Sequence, residues 1–247
     1  PLAQADALDG LAGLDWTQGR HADAARQLES ALELLADAGA LGRQADLLAR
    51  YAAFSLARFR PDEAKAWYER ALQRYQEIQL PSGEFVALRG LGQVAENRLR
   101  YDEAQQYYEQ AVAVARRLAS TSLEADGLAL LGSLQSLRND HAAARATYQT
   151  ALELARSVGD RAKEAELSLG LAGVELGERK PEAAEETYRR SRKIFSELKR
   201  PDSELSAMFG ILAAQTDREH YRRAVRTADA LVALADRVGD LGQRAHA

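Results

Sequence analysis

One unit of 40 residues recurs six times along this chain, with no insertion or deletion between copies. Six alanines fix the register: Ala24, Ala64, Ala104, Ala144, Ala184 and Ala224. Three residues before each stands His21, Pro61, Tyr101, His141, Pro181 or Tyr221. Four residues after each stands Leu28, Tyr68, Tyr108, Tyr148, Tyr188 or Ala228. A fixed period in this range marks stacked repeats, and it takes precedence over any reading of single helices. Each unit then packs only on its neighbours, and the stack presents an extended surface for holding other molecules.

The third copy, residues 85 to 124, shows the internal pattern. Leu88, Leu91, Gly92, Val94 and Ala95 form the apolar stripe of one helix. Leu99-Arg100-Tyr101-Asp102 interrupts it. Ala104, Tyr107, Tyr108, Ala111, Val112, Ala115 and Leu118 then resume at helical spacing. Each unit therefore reads as two antiparallel helices joined by a short turn. Pro61 and Pro181 open second helices, where a missing N–H costs nothing. Gly39, Pro81-Ser82-Gly83, Gly159-Asp160, Pro201-Asp202 and Gly239-Asp240 read as breaks between units.

Composition narrows the function classes. The 247 residues are 46% hydrophobic and 28% charged, with a formal net charge of −4. That balance lacks the basic footprint of a nucleic-acid binder. The chain has no cysteine, which excludes disulfides and thiolate metal sites. No stretch is long and apolar enough to span a membrane as a helix, and the default compartment is the cytoplasm. No Walker loop, helical zinc-binding histidine pair or nucleophile elbow is present. Gly90-Leu91-Gly92 resembles part of a dinucleotide fingerprint but lies inside a helix with no strand before it. The histidines His21, His141, His220 and His246 have no partner ligands at chelating spacing. Glu185-Glu186 and Glu164/Glu166 read as solvated helix faces. The basic run Arg189-Arg190-Ser191-Arg192-Lys193, with Arg222, Arg223 and Arg226, reads as a surface neutralised by Glu182, Glu185, Glu186 and Glu197. Phosphate groups or an acidic partner are the alternative there. No catalytic residue, metal or cofactor is expected.

The repeat resembles the tetratricopeptide family. Leu91-Gly92 and Leu131-Gly132 match that family's first-helix pair, and Leu171-Ala172 is a close variant. The six register alanines match its first small position, Ala31, Ala71, Ala111 and Ala151 match its second, and the tyrosines fill its aromatic position. Leu8, Leu48, Leu88, Leu128, Ser168 and Met208 stand where the family places tryptophan, and the unit is six residues longer than the common repeat. The longer unit is similar to repeats of bacterial regulatory proteins, kinesin light chains and cell-polarity adaptors. The resemblance implies an all-α, right-handed solenoid of six antiparallel helix-turn-helix repeats, about twelve helices. The repeats are placed at 5–44, 45–84, 85–124, 125–164, 165–204 and 205–244, within one domain spanning 1–247.

In this family the first helices line the concave side, which implies a groove for a protein or peptide partner. Carried over by position, the candidate residues are Trp16, then Asp46, Ala49 and Ala53, then Arg89, Gln93, Glu96 and Asn97. The later copies supply Asp126, Ser133 and Leu137, then Leu169 and Gly173, then Phe209 and Ala213. Of these only Arg89 and Asn97 suit a clamp for a terminal carboxylate, so that ligand is disfavoured. Small residues paving the groove suit an amphipathic helix or an extended apolar peptide. The expected function is a non-enzymatic interaction scaffold. The alternative is a peptide- or ligand-sensing regulatory domain of a larger bacterial signalling or transcription protein. Val225, Ala228, Leu231, Val232 and Ala235 have no following helix to cover them, so the native protein is expected to continue past residue 247. A homodimer through uncovered ends is the competing expectation.

Overall fold

The computed structural model describes the backbone of residues 1–245 and the side chains of residues 1–239. Twelve helices and no strand occur among the described residues. They are α1 (Leu2–Thr17), α2 (His21–Asp37), α3 (Leu41–Ala57), α4 (Pro61–Glu77), α5 (Pro81–Asn97) and α6 (Tyr101–Arg117). Then follow α7 (Thr121–Leu137), α8 (His141–Ser157), α9 (Arg161–Gly177), α10 (Pro181–Glu197), α11 (Pro201–Asp217) and α12 (Tyr221–Ala245). Every helix from α2 to α11 has 17 residues, and a three-residue link follows each of the first eleven. The 40-residue period is thus two equal halves.

The links share one geometry. Their middle residue is left-handed every 20 positions: Gly19, Gly39, Phe59, Gln79, Leu99, Ala119, Asn139, Gly159, Arg179, Lys199 and Glu219. The next amide reaches back five residues to a helix carbonyl: Arg20 to Asp15 at 2.8 Å, Leu80 to Tyr75 at 2.9 Å, His220 to Gln215 at 2.9 Å. This 6→1 bond closes the helix C-terminus and satisfies a carbonyl that would otherwise lack a partner. Starts are marked in two ways. Proline occupies the first turn of α4, α5, α10 and α11. The side chains of Ser120, Asp140 and Asp160 accept from backbone amides at the starts of α7, α8 and α9.

Three expected breaks are absent. Pro81-Ser82-Gly83 and Pro201-Asp202 form the first turns of α5 and α11 rather than gaps, because proline at the first helical position fits the helix. Gly239 lies within α12, which runs on to Ala245. Gly39 and Gly159, at the same place in their repeats, turn left-handed and fold the chain back. Glycine permits a left-handed turn without imposing one, and at Gly239 the helix continues. His246 lies outside the described residues.

The contacts form two compact units, one from Pro1 to Leu118 (α1–α6) and one from Ala119 onward (α7–α12). In both units the two helices of each hairpin pack along an alanine seam: Ala24, Ala64, Ala104, Ala144 and Ala184 are completely buried. The tyrosine four residues on packs against a glycine. In the first unit Tyr68 lies on Gly90 and Tyr108 on Gly92; in the second, Tyr148 lies on Gly132 and Gly170, and Tyr188 on Gly210. A Cβ at Gly90 would fall 2.2 Å from Tyr68 Cζ, so glycine is the residue that fits. Rings of this size bury ~150–250 Å² each. At ~25 cal/mol per Å² that contributes roughly 4–6 kcal/mol of burial per ring. First helices of successive repeats touch: α3 with α5 in the first unit, α7 with α9 and α9 with α11 in the second. Ion pairs join the second helices of the first unit: Arg70 of α4 with Glu29 of α2 and Lys65 of α4 with Glu103 of α6, each at 2.8 Å.

Candidate functional site

On α5, Val86, Arg89, Gln93, Glu96 and Asn97 recur at i, i+3, i+7, i+10 and i+11, so one face of the helix carries them all. Three of them line a cleft of about 430 Å³ with α3. Ala53, Leu56 and Ala57 come from α3, Gln93, Glu96 and Asn97 from α5, and Tyr68 of α4 forms the floor. The space exists because α3 offers two alanines where a longer side chain would close it. The floor is rigid, since the Tyr68 ring is held against Gly90.

The electrostatics of this cleft are mixed. The Tyr108 hydroxyl donates to Glu96 Oε2 at 2.9 Å, which fixes that carboxylate on the rim. Burial first, and then the Glu96 charge, push the Tyr108 hydroxyl far above its ordinary range, so it remains a donor. Burial also raises Tyr68, against the opposing pull of Arg89. Arg89 is half-buried beside both rings and makes no ion pair among the described residues. A cation held in place without a carboxylate is available to a ligand. Gln93 and Asn97 add amide donors and acceptors one and two turns further along.

The remaining sequence candidates are placed differently. Trp16 is buried, with its ring edge-on to His21 at 5.2 Å and to Tyr51 at 5.7 Å. Ala49 is also buried. Asp46 accepts from the Tyr75 hydroxyl at 2.8 Å and borders a separate cleft of about 300 Å³ with Ala5, Asp6, Arg43 and Arg50. Charges in that cleft are matched, Arg43 with Asp6 and Arg50 with Asp9. In the second unit Asp126 is half-buried and paired with Lys163 Nζ at 2.8 Å. Ser133, Leu137, Phe209 and Ala213 are exposed on α7 and α11. Leu169 packs partly against the core, and Gly173 faces the Tyr188 hydroxyl. The structure therefore assembles Ala53, Gln93, Glu96 and Asn97 into one cleft, with Arg89 on the same helix face. Sequence reasoning did not assign Tyr68 to the floor. The signal was Gly90, which the ring requires and which the Leu-Gly motif does not explain. No group of three or more His, Asp or Glu side chains among the described residues is arranged to hold a metal. No helix among them is long and apolar enough to cross a membrane.

The tetratricopeptide repeat model matches residues 43–117 and 84–157, the stretch that contains this cleft. Residues 43–157 carry tetratricopeptide-type repeats. Solved structures with such repeats extend the fold likeness to nearly the whole chain. BtubC from P. vanneervenii superposes with a TM-score of 0.74 at 18% identity, covering 88% of this chain and 90% of that one. A signal-transduction ATPase with numerous domains and a tetratricopeptide repeat sensor, from Pyrococcus horikoshii, gives 0.74 at 15% identity. That match covers 94% of this chain and 36% of the ATPase. A Rap protein complexed with Competence and Sporulation Factor gives 0.68 at 13% identity, covering 96% of this chain and 77% of that one. No curated protein sequence matches. At these identities the likeness shows the repeat fold alone.

Proposed function

We propose that this tetratricopeptide-type protein is a non-enzymatic scaffold that binds a peptide or partner protein on the face formed by its first helices. The α3–α5 cleft anchors the ligand. One observation carries this reading: Arg89, half-buried and without an ion-pair partner, stands on the same helix face as the cleft residues Gln93, Glu96 and Asn97. An extended segment would place an apolar side chain over Leu56 and Tyr68 and bring an acceptor to Arg89. A second reading, a peptide-sensing regulatory domain, is supported by the sensor repeats of the Pyrococcus ATPase and by the peptide-factor complex of the Rap protein.

Selection of a random peptide library on the immobilised protein tests the proposal. Selected peptides are expected to lose binding to Ala53→Trp, which fills the cleft, and to Arg89→Glu, which reverses its charge. Equal binding by wild type and both variants would overturn it.

A further inference from the structure

The second unit carries a cleft that the repeat pattern does not require. It is about 430 Å³ in volume and lies between α10 and α12, with α11 beneath it. Arg189 and Arg192 of α10 form one wall, and Arg223 and Arg226 of α12 form the other. Met208 and Ile211 contribute an apolar floor.

Comparing the same register positions in other repeats shows how it arises. Thr227 stands where the second and third repeats have Trp67 and Tyr107; like Thr147 and Thr187 in the fourth and fifth repeats, it puts no ring at this position. Arg192 stands where Leu32, Leu72, Val112 and Leu152 supply aliphatic side chains. Arg189 replaces the acid found as Glu29, Glu69 and Glu109, and Arg223 replaces Asp23, Glu63 and Glu103. Three changes to arginine thus converge on a gap that a short threonine leaves open.

The nearby acids pair with one wall of the cleft only. Glu185 is buried and accepts from Arg189 at 2.6 Å, Gln215 at 2.8 Å and Arg218 at 3.0 Å. Glu204 accepts from Arg192 at 3.2 Å. Thr227 donates to Gln215 at 2.8 Å, which completes the floor's polar network. Arg223 and Arg226 make no ion pair among the described residues. The arginine run that reads in the sequence as self-neutralised therefore keeps two uncommitted guanidinium groups.

We propose that this cleft binds an acidic peptide segment, whose carboxylates engage Arg223 and Arg226 with Arg189 and Arg192 opposite. The two uncommitted guanidinium groups stand three residues apart on one face of α12, and carboxylates suit their forked donors. The apolar floor suits the methylene groups of glutamate side chains. No aromatic side chain lines the cleft to stack on a base, which disfavours a nucleic-acid strand.

Fluorescence anisotropy with a labelled oligoglutamate peptide tests this, using oligolysine, a single-stranded oligonucleotide and inorganic phosphate as comparison probes. Wild type is expected to bind oligoglutamate and to lose affinity with rising salt. Arg223→Gln with Arg226→Gln is expected to weaken binding about tenfold per guanidinium removed. Thr227→Tyr keeps every arginine but puts into the gap the ring that Tyr107 has at this position, and is expected to weaken binding comparably. Should the double variant fail to fold, that single change decides the matter. Arg222→Gln, outside the cleft, is expected to bind as wild type. No binding by wild type, equal loss in Arg222→Gln, unchanged binding in Thr227→Tyr, tighter binding of the oligonucleotide, or displacement by equimolar phosphate would each overturn the proposal.

Discussion

Eight of the eleven link residues adopt a left-handed backbone without being glycine, and two of them offer a clean measurement of the cost. Phe59 has φ 58° and is 91% exposed; Leu99 has φ 57° and is 73% exposed. Neither side chain contributes much packing, so replacing it loses little burial. A left-handed L-residue costs roughly 1–2 kcal/mol. Glycine avoids that cost but gives up roughly 0.5–1 kcal/mol more chain entropy on folding. Phe59→Gly and Leu99→Gly should therefore each stabilise by about 0.5–1 kcal/mol. The sites are 40 residues apart and share no partner, so the double variant should gain about 1–2 kcal/mol. Urea denaturation followed by circular dichroism reads this as a higher midpoint at unchanged slope. The reciprocal change, Gly39→Ala at φ 67°, should lower the midpoint. An unchanged or lower midpoint in the double glycine variant would refute the reasoning, because the left-handed link would then carry no strain for glycine to relieve.

Gly90→Ala should destabilise, since overpacking on Tyr68 costs ~1–3 kcal/mol and outweighs a helix-propensity gain of about 1 kcal/mol. In a Tyr68→Leu background the same change should become neutral or stabilising, and thermal melts of the four proteins check the sign reversal. Glu178 is held down at about 2 by hydrogen bonds from Arg145 and Lys180. A lowered carboxylate stabilises the folded state above its unfolded value and loses that contribution as pH falls. Glu178→Gln should thus melt below wild type at neutral pH, with the gap closing between about pH 4.5 and pH 2. Tyr108→Phe removes the donor to Glu96 and should cost ~1 kcal/mol in a denaturant titration.

The fold was legible because alanine at one register position leaves little freedom: only a close helix pair buries Ala24 through Ala224 at a fixed spacing. Pro61 and Pro181 marked helix starts for the same physical reason that Pro81 and Pro201 do, yet the latter read as breaks because Ser82-Gly83 and Asp202 follow them. Gly239 misled in the other direction, since glycine permits a turn without imposing one. At the site, the family resemblance, carried over by position, singled out Gln93, Glu96 and Asn97 on one helix. It could not show that Trp16 and Ala49 are buried, because that depends on which neighbours pack over them. Nor could the count of charges around Arg189 reveal that Glu185 is already committed to three donors.

The uniform helix and link lengths also bear on how such a chain can change in length. Adding a single residue inside a helix rotates everything after it in that helix by about 100°. That swings the seam alanine outward and carries the tyrosine off its glycine. Adding 40 residues between equivalent positions disturbs neither contact. Length here is quantised, so duplication or loss of whole repeats is the change this architecture absorbs, whereas single-codon insertions within its helices are the ones it rejects.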